Sequence, residues 1–250
     1  MNNLSKTEKT AFFSRNVFLL RGEISDSVFD MLEANGAVHT PHKFSKRFAD
    51  DKYKSFSFFK GIGVPQPETL KADGKDTKEQ FLFASQKLGL PFIAKPRFGS
   101  MGRGVSLIEN QKQLECALKK FKELVFQSFI ETRTQDKNRS DLRFFVIGGK
   151  VAASVLRIAK DSASIASNAH QGGIIQQFNA SDALKASAVS IICNAGLDYG
   201  TADFLMPSGE PDKPLLCEIN ACPGFEALET QLNINIAGQI VDYVLKLKQF

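Results

Sequence analysis

The stretch that most constrains this chain is Pro214-Leu215-Leu216-Cys217-Glu218-Ile219-Asn220-Ala221-Cys222-Pro223-Gly224. It opens as a run fit for a buried strand, is interrupted by Glu218 and Asn220, and ends in a Pro-Gly pair. Residues two apart on a strand share a face, so the carboxylate and the amide aim their oxygens at one point. A desolvated carboxylate without a partner is costly, and the pattern therefore calls for something positive beside it. Taken alone, the stretch is equally compatible with an edge strand whose two polar side chains face water.

The rest of the chain alternates strand and helix signals. Residues 1–15 read as a polar, poorly ordered leader, followed by a strand at Val17–Leu20 and a helix over Ser25–Ala34. A helix over Phe48–Lys60 stops at glycines, and Val64-Pro65-Gln66-Pro67 forces an extended path. Thr77 to Gln80 is a capping box opening a helix that ends at Gly89. Strands follow at Pro91–Lys95 and Val105–Ile108, then a helix over Gln111–Lys122 and a strand at Leu124–Phe126. Arg143–Ile147 and Val151–Ile158 flank a Gly148-Gly149-Lys150 turn and predict a hairpin. A helix over Ser181–Ala195, strands near Thr201–Met206 and Leu215–Ile219, and a helix over Asn233–Lys248 complete the pattern. This mixture predicts an α+β (mixed α/β) fold rather than a doubly wound sheet.

Composition narrows the function classes. A net charge of +5 is mild, and the one basic cluster, Lys43 to Lys60, lacks the aromatic interleaving of a nucleic-acid stripe. Cys116, Cys193, Cys217 and Cys222 have no CxxC spacing, which speaks against zinc or a disulfide framework and for a reducing, cytoplasmic setting. Neither an apolar signal region nor a run of membrane-spanning length is present, so no membrane partner is expected.

Three constellations carry chemistry. In Lys95-Pro96-Arg97-Phe98-Gly99-Ser100-Met101-Gly102-Arg103-Gly104-Val105, a lysine ends one strand and a glycine-rich loop leads to the next. Glycines let backbone N–H groups converge on phosphate oxygens, and the lysine adds a point charge. The loop is neither a Walker loop nor a Rossmann turn, because GK[ST] is absent and a strand follows. A flexible hairpin loop is its plain alternative. Asp203 sits in an apolar strand preceding that of Glu218 and Asn220, and neighbouring strands would gather three oxygen ligands suited to nucleotide-bound Mg²⁺. The last set comprises Asp141, Arg143, Arg157, Asn168, His170, Gly172 and Gly173. Its arginines could hold anionic oxygens bidentately or form surface salt bridges. No nucleophile–base pair emerges, which argues against covalent hydrolase chemistry.

The order of these blocks resembles the ATP-grasp superfamily and, within it, the RimK-like amino-acid ligases. The resemblance covers about residues 41–250, through Asp51-Lys52, PFIAKPRFGSMGRGV, VFQSFI, DLRFFVIGGKVAAS, SNAHQGG, DFLMP and LLCEINACPGFEALE. It implies a leader with a shortened pre-ATP-grasp segment over 1–48, a first lobe with a glycine-rich lid over 49–128, and a second lobe with the metal site over 129–250. Lys52 and Lys95 would meet the nucleotide phosphates under the lid residues Gly99, Ser100, Gly102 and Gly104. The backbone of Gln127, Ser128 and Phe129 would read adenine, with Asp141 nearby. Asp203, Glu218 and Asn220 would hold Mg²⁺ or Mn²⁺. Arg143, Arg157, Asn168 and Lys95 would act on the transferred phosphate and acyl group.

The implied activity is ATP-dependent joining of a carboxylate and an amine through an acylphosphate, adding an amino acid to a peptide, a protein tail or a small carboxylate. A small-molecule kinase and a non-catalytic ATP-binding interaction protein are the alternatives. Several positions depart from the family. Ser128 stands where related ligases usually carry an acid, and Ala166 and Gln171 stand where they carry arginines. Loss of two cations argues against a multiply anionic, glutamate-type substrate. The short N-terminal unit is one that a partner subunit in a homo-oligomer would cover.

Overall fold

Period-two strands that bury one face, and helices that bury one stripe, assemble here into two α+β lobes and a small N-terminal unit. The computed structural model describes residues 5–14, 16–74, 76–100, 102–133, 138–161 and 173–247. In chain order the elements are α1 (Lys6–Ser14), β1 (Val17–Leu19), α2 (Asp26–Ala34), β2 (Val38–Thr40), α3 (Lys43–Asp50), α4 (Lys52–Gly61), β3 (Thr69–Lys71), α5 (Thr77–Leu88), β4 (Phe92–Pro96), β5 (Ser106–Ile108), α6 (Gln111–Lys120), β6 (Leu124–Ser128), β7 (Ser140–Ile147), β8 (Lys150–Ile158), β9 (Ile174–Gln177), α7 (Asp182–Asn194), β10 (Tyr199–Leu205), β11 (Leu215–Asn220), α8 (Glu226–Leu232) and α9 (Ile236–Leu247).

The first lobe is an antiparallel sheet in the order β3-β6-β4-β5. One face of β4 and β6 presents Phe92, Ala94, Leu124 and Phe126 to a core completed by Ala84 of α5 and by Leu114 and Ala117 of α6. Alternation then leaves Ile93, Lys95 and Gln127 on the opposite face, which looks into a cleft.

The second lobe is an antiparallel sheet in the order β11-β10-β7-β8-β9. One face packs Leu142, Phe144, Ala202, Phe204 and Ile219 against Ala188, Ile191 and Ile192 of α7, with Ala49 of α3 and Phe59 of α4 joining that core. The other face packs Phe145, Val155 and Tyr199 against Leu228 of α8 and Ile236, Ile240 and Val244 of α9. Farther along the same strands this second face turns polar, through Asp141, Arg143, Arg157 and Asp203.

The N-terminal unit pairs β1 with β2 in parallel. It is tied to the second lobe by Arg21, whose Nη2 donates to the Pro223 carbonyl at 2.7 Å and whose guanidinium lies 4.6 Å from the Phe225 ring centre.

The structure departs from the sequence expectations at four places. Within the stretch read as a leader, residues 6–14 form α1, because Phe13 finds a buried place beside Phe18. The single helix expected over Phe48–Lys60 is two helices broken at Asp51, whose carboxylate caps α4 by accepting from the Tyr53 and Lys54 amides at 3.1 Å. The cap of α5 is Asp76 rather than Thr77. The strands β2, β3 and β9 and the helix α8 were not foreseen, being too short to show a period, and the last helix begins at Ile236 rather than Asn233.

Candidate active site

The strand carrying Lys95 ends at a loop whose glycines take positive φ: Gly99 at 128°, Gly102 at 67° and Gly104 at 78°. At Gly104 a Cβ would stand 2.5 Å from the Phe121 ring and 2.8 Å from Pro96, so only glycine brings the loop this close to the lobe. Lys52, the first residue of α4, donates from Nζ to the Gly99 carbonyl at 2.6 Å and so ties the loop to the helix. Burial pushes the Lys52 ammonium below its usual range, Glu218 opposes that shift, and Lys95 adds to it.

Lys95 itself is buried, and its Nζ donates to Gln127 Oε1 at 3.0 Å. The Gln127 side chain therefore serves the lysine; the expectation for this segment concerned its backbone. Behind it, Gln127 Nε2 donates to Thr69 Oγ1 at 2.9 Å. Thr69 was not singled out from the sequence, because a lone threonine in a three-residue strand carries no signal.

On the second lobe, strand register lines up Glu218, Asp203 and Arg143 across β11, β10 and β7, with Asp141 opposite Arg157 on β7 and β8. Arg143 grips Asp203 with both arms, Nε to Oδ1 at 2.8 Å and Nη2 to Oδ2 at 2.6 Å. Arg157 bridges the two acids, with Nε on Asp141 Oδ1 at 2.5 Å and Nη2 on Asp203 Oδ2 at 2.9 Å. For Asp203, burial alone would raise the carboxyl pKa, but the two guanidiniums outweigh it and hold the carboxyl below its ordinary range. For Asp141, burial and the neighbouring Asp203 charge outweigh the pull of Arg157 and the more distant Arg143, and the carboxyl is pushed up to about 6.

A β-bulge in β11 shapes the end of this row. Asp203 pairs with Glu218, but the next pair is Phe204 with Leu216, which leaves Cys217 as the extra residue. Both Cys217 and Glu218 consequently line the cleft, while Leu216 and Ile219 stay in the core. Burial raises the Cys217 thiol to about 11, making it a neutral wall. Glu218 has no hydrogen-bond partner among the described residues, and Asn220 Nδ2 donates to Thr201 Oγ1 at 3.4 Å, leaving its carbonyl oxygen available.

Among the described residues no group of three or more His, Cys, Asp or Glu side chains is placed to hold a metal. The set present is two carboxylates and an amide. These are hard oxygen donors that suit Mg²⁺ or Mn²⁺ shared with phosphate rather than a closed protein cage; both Asp203 oxygens are held by Arg143 and Arg157, and the Glu218 carboxylate, without a hydrogen bond among the described residues, is the open one that fits the ion.

Two clefts meet here. The narrow one, about 130 Å³, lies between the lobes and is lined by Lys52, Lys95, Gly99, Ser100, Gly102, Gln127, Ser128, Phe129, Asp141, Arg157, Asp203 and Glu218. Its apolar walls include Ile93, Val105, Ile130 and Leu205, which lie in the blocks that carry the resemblance but were given no site role from the sequence. The wide one, about 1120 Å³, is lined by Arg143, Asn220 and the first turns of α8, and it shares six residues with the narrow one: Lys52, Gly99, Ser100, Arg103, Arg157 and Glu218. Gly104 lines neither. Asn168 lies outside the described residues, as do Ala166, His170, Gln171 and Gly172.

A family profile described as the RimK-like ATP-grasp domain matches residues 49–244. A probable alpha-L-glutamate ligase from Legionella pneumophila (strain Corby) is 33% identical over 196 residues, which is 78% of this chain and 63% of that protein. The chain thus spans less than two thirds of that relative's length. The ATP-grasp ligase PsnB, solved with a minimal precursor, Mg and ADP, superposes with a TM-score of 0.66 at 19% identity over 90% of this chain and 67% of that one. D-alanine–D-alanine ligase from Bacillus anthracis, solved with ATP, gives 0.71 at 17% identity over 99% and 90%. At those identities the superpositions speak for the fold, a mixed α/β ATP-grasp architecture of two lobes. The extent of the profile match settles the family: this chain belongs to the RimK-like ATP-grasp family.

Proposed function

We propose that this chain is an ATP-dependent carboxylate–amine ligase that adds an amino acid to a peptide, a protein tail or a small carboxylate. The observation that carries this reading is the junction of the two clefts. A nucleotide lying in the narrow cleft would present its terminal phosphate beside Lys52, Arg157 and Glu218, where the wide cleft begins. The width of the second cleft favours an extended acceptor over a free amino acid.

A carboxylate is a poor electrophile. Moving the γ-phosphate onto it gives an acylphosphate and ADP, and an amine then attacks the acyl carbon and expels phosphate. Lys95 and Lys52 would stabilise charge spread over the phosphate oxygens, and Arg143 and Arg157 would do so at the acceptor end. Asp203, Glu218 and Asn220 would hold a divalent cation, which when bound neutralises phosphate charge. The lid that starts at Gly99 would keep water from the activated acyl group.

Among the described residues no helix is long and apolar enough to cross a membrane, and all four cysteines are free. The free thiols support a reducing, cytoplasmic setting.

The test is an ADP-release screen of amino acids, singly and in pairs with peptide and small carboxylates, with mass spectrometry on the products. Amide products and a hydroxamate on adding hydroxylamine support the ligase. A phosphorylated product that hydroxylamine leaves intact identifies a kinase instead. ATP binding without ADP release across the panel refutes both. Lys95→Ala and Glu218→Ala are expected to lower turnover at least about a hundredfold, and full activity in either overturns the site assignment.

A further inference from the structure

Lys95 reaches the cleft from the end of a row of polar side chains that crosses three strands of the first lobe. Thr69 on β3 stands opposite Gln127 on β6, and Gln127 lies diagonal to Lys95 on β4, since Gln127 pairs with Ile93 and Lys95 with Val125. All three polar side chains are buried. The row begins at the Pro67 carbonyl, which accepts from Thr69 Oγ1 at 3.1 Å. It continues from Gln127 Nε2 to Thr69 Oγ1 at 2.9 Å and ends with Lys95 Nζ on Gln127 Oε1 at 3.0 Å.

The chemistry of each group gives this row a direction. A threonine hydroxyl has one proton, and Thr69 places it on Pro67, so toward Gln127 it can only accept. The end of the Gln127 amide that faces Thr69 must then be the NH₂ end. That leaves the amide oxygen facing Lys95, whose ammonium has three donors and no acceptor. A reversed amide would set NH₂ against NH₃⁺ and leave the threonine oxygen facing a carbonyl oxygen. In the observed sense every group is satisfied and the lysine is held by one of its three protons, with the other two left for the cleft.

We propose that Thr69 is a positioning residue for nucleotide phosphate binding, acting through Gln127 to aim the Lys95 ammonium into the cleft. Lysine is a flexible point charge, and its stem must be immobilised before its charge can act at a defined place. Lys52 shares the narrow cleft, so like-charge repulsion favours a swing of Lys95 out of it, and the Gln127 oxygen opposes that swing. This role rests on the reading of the narrow cleft as a nucleotide site.

The test compares binding of ATP and of adenosine by calorimetry in the full chain. Adenosine fills the base end without phosphates, so it reports on the site independently of Lys95. Thr69→Val, which keeps the shape and removes the hydroxyl, is expected to weaken ATP about tenfold, the order of one hydrogen bond lost, and to leave adenosine unchanged. Thr69→Ser restores ATP affinity. Gln127→Met reproduces the Val effect and answers the question by itself if Thr69→Val does not fold. In a Lys95→Met background, Thr69→Val has no further effect on ATP binding.

An equal loss of ATP and adenosine affinity, unchanged ATP affinity in both variants, or a full additional loss in the Lys95→Met background overturns the positioning role. If the wild-type chain binds neither ATP nor adenosine, the nucleotide reading itself fails, and the positioning role falls with it. Absence of ligase turnover with ATP binding intact leaves this experiment fully readable.

Discussion

Arg157 is the residue on which the polar face of the second lobe depends. It separates two buried aspartates and satisfies both, at 2.5 Å to Asp141 and 2.9 Å to Asp203. Replacing it with methionine preserves volume but takes from buried Asp141 its hydrogen-bonded cation, beside an Asp203 that keeps only Arg143. Removing one partner of a buried ion pair costs about 3–5 kcal/mol, so Arg157→Met is expected to lower the urea-unfolding free energy by that amount. Adding Asp141→Asn should recover part of the loss by removing one of the charges; no recovery in the double variant would show that packing, and not charge, sets the cost. From the sequence, Arg143 and Arg157 could hold anionic oxygens or form surface salt bridges. That both arginines converge on Asp203 was not legible, because which side chains meet is a property of three strands in register and each strand shows only its own alternation.

At the scale of elements, the break between α3 and α4 is anchored on the root of the glycine loop. Asp51 caps α4 and also takes Arg97 in both hands, Nε to Oδ1 at 2.8 Å and Nη2 to Oδ2 at 2.6 Å, while the Lys52 amide donates to the Arg97 carbonyl at 3.1 Å. Burial would raise the Asp51 carboxyl, but Arg97 and the two capping amides outweigh it and hold the pKa below the ordinary value. Such a group binds fewer protons folded than unfolded, so its stabilisation is fully present above the unfolded carboxylate pKa of about 3.9 and is lost as pH falls through the lower folded value. The Tm difference between wild type and Asp51→Asn is therefore expected to be largest near neutral pH and to shrink below about pH 4. Melting curves across that range check it, and a difference that grows on acidification would contradict the assignment. Arg97→Lys keeps the charge but loses the two-armed grip, and should raise the KM for ATP by loosening the lid root; an unchanged KM would separate the ion pair from the lid. The Asp51 break was readable in principle, since aspartate is a strong N-cap, yet a continuous helical pattern on both sides hid it. The β11 bulge was hidden more deeply, because an extra residue shows only against the partner strand.

At the scale of the molecule, the two lobes present their polar faces to each other across the narrow cleft, with Lys95 and Gln127 on one wall and Asp203, Arg157 and Glu218 on the other. A ligand that binds only the folded chain stabilises it by mass action, by about 2.7 kcal/mol at a hundred times its Kd. ATP with Mg²⁺ is accordingly expected to raise the Tm of the wild-type chain, and Lys95→Ala to lose most of that shift at the same concentration. Thermal shift measurements decide this, and an undiminished shift in Lys95→Ala would remove the lysine from the nucleotide site. The sequence by itself determined the order of the blocks, the mixed α/β character, the glycine loop and the pairing of Glu218 with Asn220 on one strand. Each of these rests on spacing along a single segment, where backbone geometry alone relates residues. Only the tertiary structure decided that Gln127 turns its side chain to Lys95, that Thr69 stands behind it, that Cys217 bulges into the cleft, and that Asp203 is shared by two arginines. Those facts depend on the register between strands far apart in the chain, which is set by the burial of both sheet faces at once and leaves no local trace.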